Sequence, residues 1–189
     1  MLKDLVLKNR SCRRFYQSER ISEDTLRELT DLARMTASSA NCQALKYYLA
    51  ADEEICARIY PSLAWAGALP DWDGPEEGER PAAYIVIVCD ESIAKSKMWD
   101  EGIAAQTIML GAAEKGLGGC MLGSINRSQL ARTLKLDSER YHISLVLALG
   151  KPKETIVTVP VGEDGSTTYY RDENQVHYVP KRSLEEIIL

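Results

Sequence analysis

Wound as a helix, the stretch from Asp100 to Lys115 is apolar around most of its circumference, with Ile103, Ala104, Thr107, Ile108, Leu110 and Gly111 spread over several faces. A surface helix carries one apolar stripe, so a helix of this kind must be buried. A chain of 189 residues supplies one core, and the expectation is a single domain spanning residues 1–189. A helix with no remaining place inside so small a core finds one at a subunit interface, and two-fold dimers are the commonest arrangement.

The other periodic segments are shorter. Leu2, Leu5 and Val6 suggest a first helix ending near Asn9. Ser22 caps a second, with Glu23 and Asp24 at its positive end and Leu26, Leu29, Leu32, Ala33 and Met35 on one face, running to about Ala37. Lys46–Ala51 reads as a strand and 53–60 as a helix. The unbroken apolar run Ala82–Cys89 reads as a strand covered on both faces. A helix over 128–134 and a strand over 143–149 follow. Residues 155–182 mix short β-type runs with glycines before Ser183 caps a last turn. Between Trp65 and Arg80, acids, glycines and prolines make an exposed loop, either a cover that shapes access to a site through Trp65 and Trp72 or a solvated insertion. Long helices among a few short strands give an α+β or α/β sandwich with a small sheet.

The net charge of −5 leaves no diffuse positive field for nucleic acid or an anionic membrane. Five cysteines at irregular spacing, with no Cys-x-x-Cys pair, suit a reducing cytoplasm. No signal peptide or membrane-spanning run is expected. The first twenty residues run against the overall balance, because Lys3, Lys8, Arg10, Arg13, Arg14 and Arg20 outnumber Asp4 and Glu19.

Arg10, Ser11 and Arg13 can set two guanidinium forks and a hydroxyl around one anion, which matches a phosphate monoester; they could equally solvate a helix end. Ser38, Ser39, Asn41 and Gln43 could bond the edge of a heteroaromatic ring, or close a helix-ending turn for local reasons. The glycine-rich turn Gly116–Gly123 permits close backbone approach, but it follows a helix and breaks the dinucleotide-binding spacing. His142 and His177 lie far apart, and neither Gly-x-Ser-x-Gly nor His-Glu-x-x-His occurs, so no metal site and no catalytic side chain is assigned. Cys120 reads as a small buried thiol.

In content and order, Arg10-Ser11-x-Arg13-x-Phe15, Ser38-Ser39-x-Asn41-x-Gln43, Asp100-x-Gly102-Ile103-Ala104-Ala105-Gln106, the GLGG-C-x-L-G turn and the terminal Pro180-Lys181-Arg182 resemble the nitroreductase family over essentially the whole chain. The resemblance implies an α+β three-layer sandwich, a small mixed sheet under helical cover, shared across a homodimer and binding FMN. It implies that Arg10, Ser11 and Arg13 hold the flavin phosphate and ribityl chain, joined by Lys181 or Arg182. Ser38, Ser39, Asn41 and Gln43 would reach the ring from the partner subunit, and backbone around Leu122 and Gly123 would border its other side. The implied reaction passes a hydride from NAD(P)H through flavin N5 to a small electron-poor acceptor such as a nitroaromatic or quinone, with the chemistry supplied by the cofactor. Similar folds also serve reductive dehalogenation and flavin cleavage, and a non-catalytic FMN-binding protein is a further alternative. Family members often have Pro ahead of the serine pair and Pro-Trp after the glutamine, where this chain has Ala37 and Ala44-Leu45.

Overall fold

The computed structural model describes residues 1–95 and 98–189. The apolar run becomes β2 (Ala83–Asp90), buried at every position. It pairs antiparallel with β1 (Leu45–Ala50) on one side and β4 (Tyr141–Gly150) on the other, and β4 pairs antiparallel with β3 (Gly118–Leu122). The order is β1-β2-β4-β3. Both faces of this sheet carry helices, which is why its central strand shows no polar alternation.

On one face lie α2 (Glu23–Arg34) and α4 (Met98–Glu114), packed on Ile85, Ile87, Leu147 and Leu149, with α1 (Leu2–Lys8) leaning on α4. On the other, α3 (Glu53–Ile59) and α5 (Arg127–Leu134) cover Tyr84, Val86, Val88 and Val146. The period-two alternation of each strand thus sorts its residues between two cores. The result is a three-layer α+β sandwich. The tail adds a second sheet in which β5 (Ile156–Pro160) runs parallel to β7 (His177–Lys181), and β6 (Tyr170–Arg171) runs antiparallel to it. Mixed pairing is confined to this smaller sheet; the main one is antiparallel throughout. No helix among the described residues is long and apolar enough to cross a membrane.

The apolar helix finds most of its cover inside the chain, contrary to the expectation that it lacks a place there. Ala104, Ala105, Ile108, Met109 and Ala112 fill the sheet face, and small residues let the neighbours close in. A Cβ at Gly111 would come within 2.6 Å of Leu32 on α2. Only the outer edge stays open, with Trp99 and Ile103 at 62% and 42% exposure.

Two further boundaries differ from expectation. Helix α2 ends at Arg34, just beyond which the Thr36 hydroxyl donates to the Ala33 carbonyl at 2.7 Å. The glycine-rich turn is largely strand β3. At Gly119 a Cβ would stand 2.3 Å from the Ala148 carbonyl oxygen and 2.9 Å from the Met109 methyl, so glycine there lets strand and helix meet.

Residues 10–16 form a strap along the edge of the sandwich. The Cys12 amide donates to the Gly119 carbonyl at 2.8 Å and the Phe15 amide to the Glu79 carbonyl at 3.0 Å, while Arg14 accepts from the Lys153 amide at 2.9 Å. Phe15 is fully buried and lies where a Cβ on Gly150 would be, 2.7 Å away. The Glu79 carboxylate clamps the strap from the acidic loop, taking Arg14 Nη2 and Lys153 Nζ, each at 2.8 Å.

The hydrogen bond from Arg14, aided by Lys153, holds the Glu79 carboxyl down from an ordinary 4.5 to about 2. A depressed acid contributes stability that is complete above the unfolded value and lost as pH falls through the folded one. Unfolding free energy should therefore drop between about pH 4.5 and pH 2, and Glu79→Gln should flatten that part of the profile. Urea denaturation at a series of pH values checks it; an unchanged slope in the variant removes Glu79 from the account.

Candidate functional site

The strap, α4, β3 and β7 enclose a cleft of about 290 Å³. Asn9 at the end of α1 and Arg10, Ser11 and Arg13 of the strap line it, α4 supplies Gln106 and Met109, and β3 supplies Gly119 and Met121. From the tail come Tyr169 and the alternate residues His177, Val179 and Lys181 of β7, all on one face of that strand.

The charged groups on the walls are all donors. Arg13 is only 9% exposed; its guanidinium reaches the Ser11 carbonyl at 3.3 Å and lies 4.9 Å over the Tyr169 ring. Arg10 donates to the Val6 carbonyl at 2.5 Å. Buried Nε atoms of both arginines have no hydrogen-bond partner, nor does either ring nitrogen of His177, which is 1% exposed. Buried polar groups are nearly always paired, so these unpaired nitrogens mark the cleft as a candidate ligand site. Two guanidinium groups with Lys181 at the rim give the cleft a cationic lining, the kind of surface an anion would complement.

One carboxylate sets the geometry behind the cleft. Glu154, its side chain fully buried, accepts the Arg13 backbone amide through Oε1 and the Arg171 guanidinium at 3.1 Å through Oε2. Oε2 also stands 3.6 Å from His177 Nδ1. Burial pushes this carboxyl up, but the His177 ring, the Arg13 amide and Arg171 together pull it further down, below the ordinary range. Arg171 in turn lies 4.2 Å over Trp72.

The two thiols beside the cleft are poorly suited to act as nucleophiles. Burial, with Glu154 nearby, pushes the Cys12 thiol up to about 12, and burial raises Cys120 as well. Both remain protonated, and Cys120 is the small buried thiol its sequence context suggests.

Ser38, Ser39, Asn41 and Gln43 lie elsewhere. A one-turn 3-10 helix over Ser39–Asn41 follows α2, with Asn41 and Gln43 at φ +52° and +53°. The Ser39 amide and hydroxyl donate to Asp100 Oδ1 at 2.9 and 3.0 Å, pinning the loop to the start of α4. The Trp99 indole N–H donates to the same hydroxyl, and the Gln43 amide donates to Ser38 Oγ at 3.2 Å. Ser38 and Gln43 border a separate, open cavity of about 900 Å³ between α2 and β1 that shares no lining residue with the cleft. Asp100 marks one group and Gln106 and Met109 the other, so six to nine helical residues, roughly 9–14 Å, separate them along α4.

Within one chain the structure thus joins Arg10, Ser11, Arg13 and Lys181, and keeps the Ser38–Gln43 group apart. Arg182 pairs outward with Glu186 at 3.4 Å. The Leu122 side chain enters the second core and Gly123 is exposed; their strand neighbours Gly119 and Met121 border the cleft instead. Trp65 stacks on Tyr60 and lines neither cavity. The loop around it is fastened down through Glu79, the Tyr60 hydroxyl on the Pro75 carbonyl at 2.7 Å, and Gln17 bonded to Glu77 at 2.6 Å. Sequence reasoning missed Glu154, Tyr169 and the position of His177; the alternation of residues 177, 179 and 181 was the one available signal, and it bears on His177 alone.

The fold is thus a three-layer α+β sandwich with a cationic, donor-rich cleft at its edge. The nitroreductase family model matches residues 6–151, and the chain belongs to that family. YodC of Bacillus subtilis, named an NAD(P)H nitroreductase, is 27% identical, over 77% of this chain and 87% of its own. A Desulfovibrio desulfuricans nitroreductase crystallised with FMN superposes with a TM-score of 0.71 at 21% identity, covering 100% of this chain and 95% of that one. A second FMN complex, from Exiguobacterium sibiricum, gives 0.68 at 18% identity, covering 82% and 89%.

Glu154→Ala would leave the Arg171 guanidinium and the Arg13 amide buried and unpaired. Breaking a buried pair from one side costs about 3–5 kcal/mol, so the variant's urea midpoint should fall steeply. A loss under 1 kcal/mol would mean that Glu154 does not organise the cleft.

Proposed function

We propose that the chain is an FMN-dependent oxidoreductase working as a homodimer, carrying reducing equivalents from NAD(P)H to a small electron-poor acceptor such as a nitroaromatic or quinone. The observation that carries this reading is the set of buried, unsatisfied Arg10, Arg13 and His177 nitrogens converging with Lys181 on one cleft, in a member of a family whose solved relatives include FMN complexes.

The residues fit the cofactor. Arg10 and Arg13 offer forked donors to a phosphate dianion, with the Ser11 hydroxyl beside them and Lys181 at the rim. At about 290 Å³ the cleft sits at the lower edge of ordinary small-molecule sites, about 300–1,000 Å³. It suits the phosphate and ribityl chain and leaves the ring outside. The loop carrying Ser38, Ser39, Asn41 and Gln43 in a second copy would then meet that ring, with the exposed Trp99 and Ile103 edge of α4 as part of the contact. Backbone at the end of β3, through Leu122 and Gly123, would border the opposite side.

Bound FMN would supply the hydride chemistry at N5. The chain's own part is to bind, orient and exclude water: Arg13 is held by Glu154 and Tyr169, and the Cys12 and Cys120 thiols stay protonated beside the site. No side chain need act as acid, base or nucleophile. A reducing cytoplasm is the compartment that suits five unpaired cysteines.

The purified protein should be yellow or become so with FMN, and NADH or NADPH should bleach it without oxygen. Arg13→Glu should weaken FMN binding by at least about tenfold, since one charge-assisted hydrogen bond contributes about 1.5–3 kcal/mol, while circular dichroism and gel filtration still report a folded dimer. A colourless protein that takes up no FMN overturns the proposal.

A further inference from the structure

His177 is one of only two histidines in the chain. It sits at the start of β7 with its amide donating to the Thr155 carbonyl at 2.9 Å, its ring packed edge-on to Tyr169 at 5.3 Å, and 1% of its surface exposed. Neither ring nitrogen has a hydrogen-bond partner, although Glu154 Oε2 lies 3.6 Å from Nδ1. The ring lines the same cleft as Arg10, Arg13 and Lys181.

We propose that His177 is a proton-dependent ligand of the phosphate monoester held in this cleft, with Nδ1–H directed to Glu154 and Nε2–H donated to the phosphate. The inference rests on the reading of the cleft as the flavin-phosphate site. Around the ring, the segment before β5 contributes Glu154, β6 contributes Arg171, β7 itself Lys181, and the strap Arg10 and Arg13. Tyr169 faces the ring edge, and α4 adds only the uncharged Gln106 and Met109. The single carboxylate is already shared between Arg171 and the Arg13 amide. A neutral imidazole holding its proton toward Glu154 would turn the Nε2 lone pair on the phosphate. Where the ring starts out neutral, binding of the dianion is accompanied by uptake of one proton at Nε2. The imidazolium then bridges the Glu154 carboxylate and the phosphate, giving both ring nitrogens the partners that the cleft alone does not supply.

Because the chain has two histidines and His142 is exposed on β4, ring resonances of the wild-type protein can be followed one by one during a pH titration. Adding FMN should raise the titration midpoint of His177 by about 1 pH unit or more, the effect of a nearby opposite charge. Riboflavin, which lacks the phosphate, should leave it in place, and His142 should respond to neither. A second arm measures FMN affinity by flavin fluorescence quenching. His177→Gln should bind FMN about tenfold more weakly than wild type at pH 6 and nearly equally at pH 8.5. The phosphate's own ionisation near pH 6 is common to both proteins and cancels in that comparison. If FMN binds but the His177 midpoint stays put, or the variant matches wild type at both pH values, the histidine assignment falls and the flavin reading stands. If wild type binds no FMN, both fall.

Discussion

The buried carboxylate of Glu154 is the junction on which the site depends. It lies just beyond the main sheet, where β4 has ended and the tail begins, and it is bonded at once to the strap and to β6. A lone carboxylate with no exposure would be costly to ionise. Here the Arg171 guanidinium, the Arg13 amide and the nearby imidazole offset that cost, so the charge persists and draws three distant segments toward one point. Breaking such a pair from one side costs more than the pair contributes net, which makes it a device for fixing position more than for adding stability. The consequence is that Arg13 enters its cleft from a backbone already anchored, and its guanidinium can face a ligand without first being ordered.

Close packing behind the cleft follows from small residues at a few contacts. Gly119 admits the Ala148 carbonyl and the Met109 methyl, and Gly150 admits Phe15. These contacts hold strap, β3 and α4 at separations no larger residue allows. A short antiparallel sheet with helices on both faces can therefore hold an apolar helix within a single chain, leaving one helical edge for another surface.

Much of this was legible in the sequence, and the reasons are local. Ala82–Cys89 read correctly as a doubly covered strand because burial on both faces erases polar alternation. The caps at Ser22 and Ser183 read correctly because capping is decided within four residues. The strand β3 was not legible, since its glycines look like a turn until the Ala148 carbonyl and Met109 are placed against them. Neither was Glu154. Its partners Arg13 and Arg171 lie far away along the chain, and no periodicity connects an isolated acid between Lys153 and Thr155 to either. Arg10, Ser11, Arg13 and Lys181 do line one cleft, but in sequence the motif reads equally as charges solvating a helix end, and only the tertiary path of β7 brings Lys181 to the other three. Lys181 faces the cleft while Arg182 turns away because adjacent strand residues point to opposite sides.

The separation of the two polar groups along α4 carries an argument of its own. A loop that ends a helix needs no side-chain tether, yet Ser39 commits its amide and hydroxyl to Asp100, and Asn41 and Gln43 hold left-handed backbone conformations that L-residues seldom adopt. Such conformations cost about 1–3 kcal/mol and persist where the surroundings over-determine them. The loop is thus built as firmly as the cleft. The same helix carries Asp100 at one end and Gln106 and Met109 further along, so it fixes the spacing of both surfaces. A two-fold axis near the exposed edge of α4 would bring the loop of one copy toward the cleft of the other, with the rigid helix as the ruler between them.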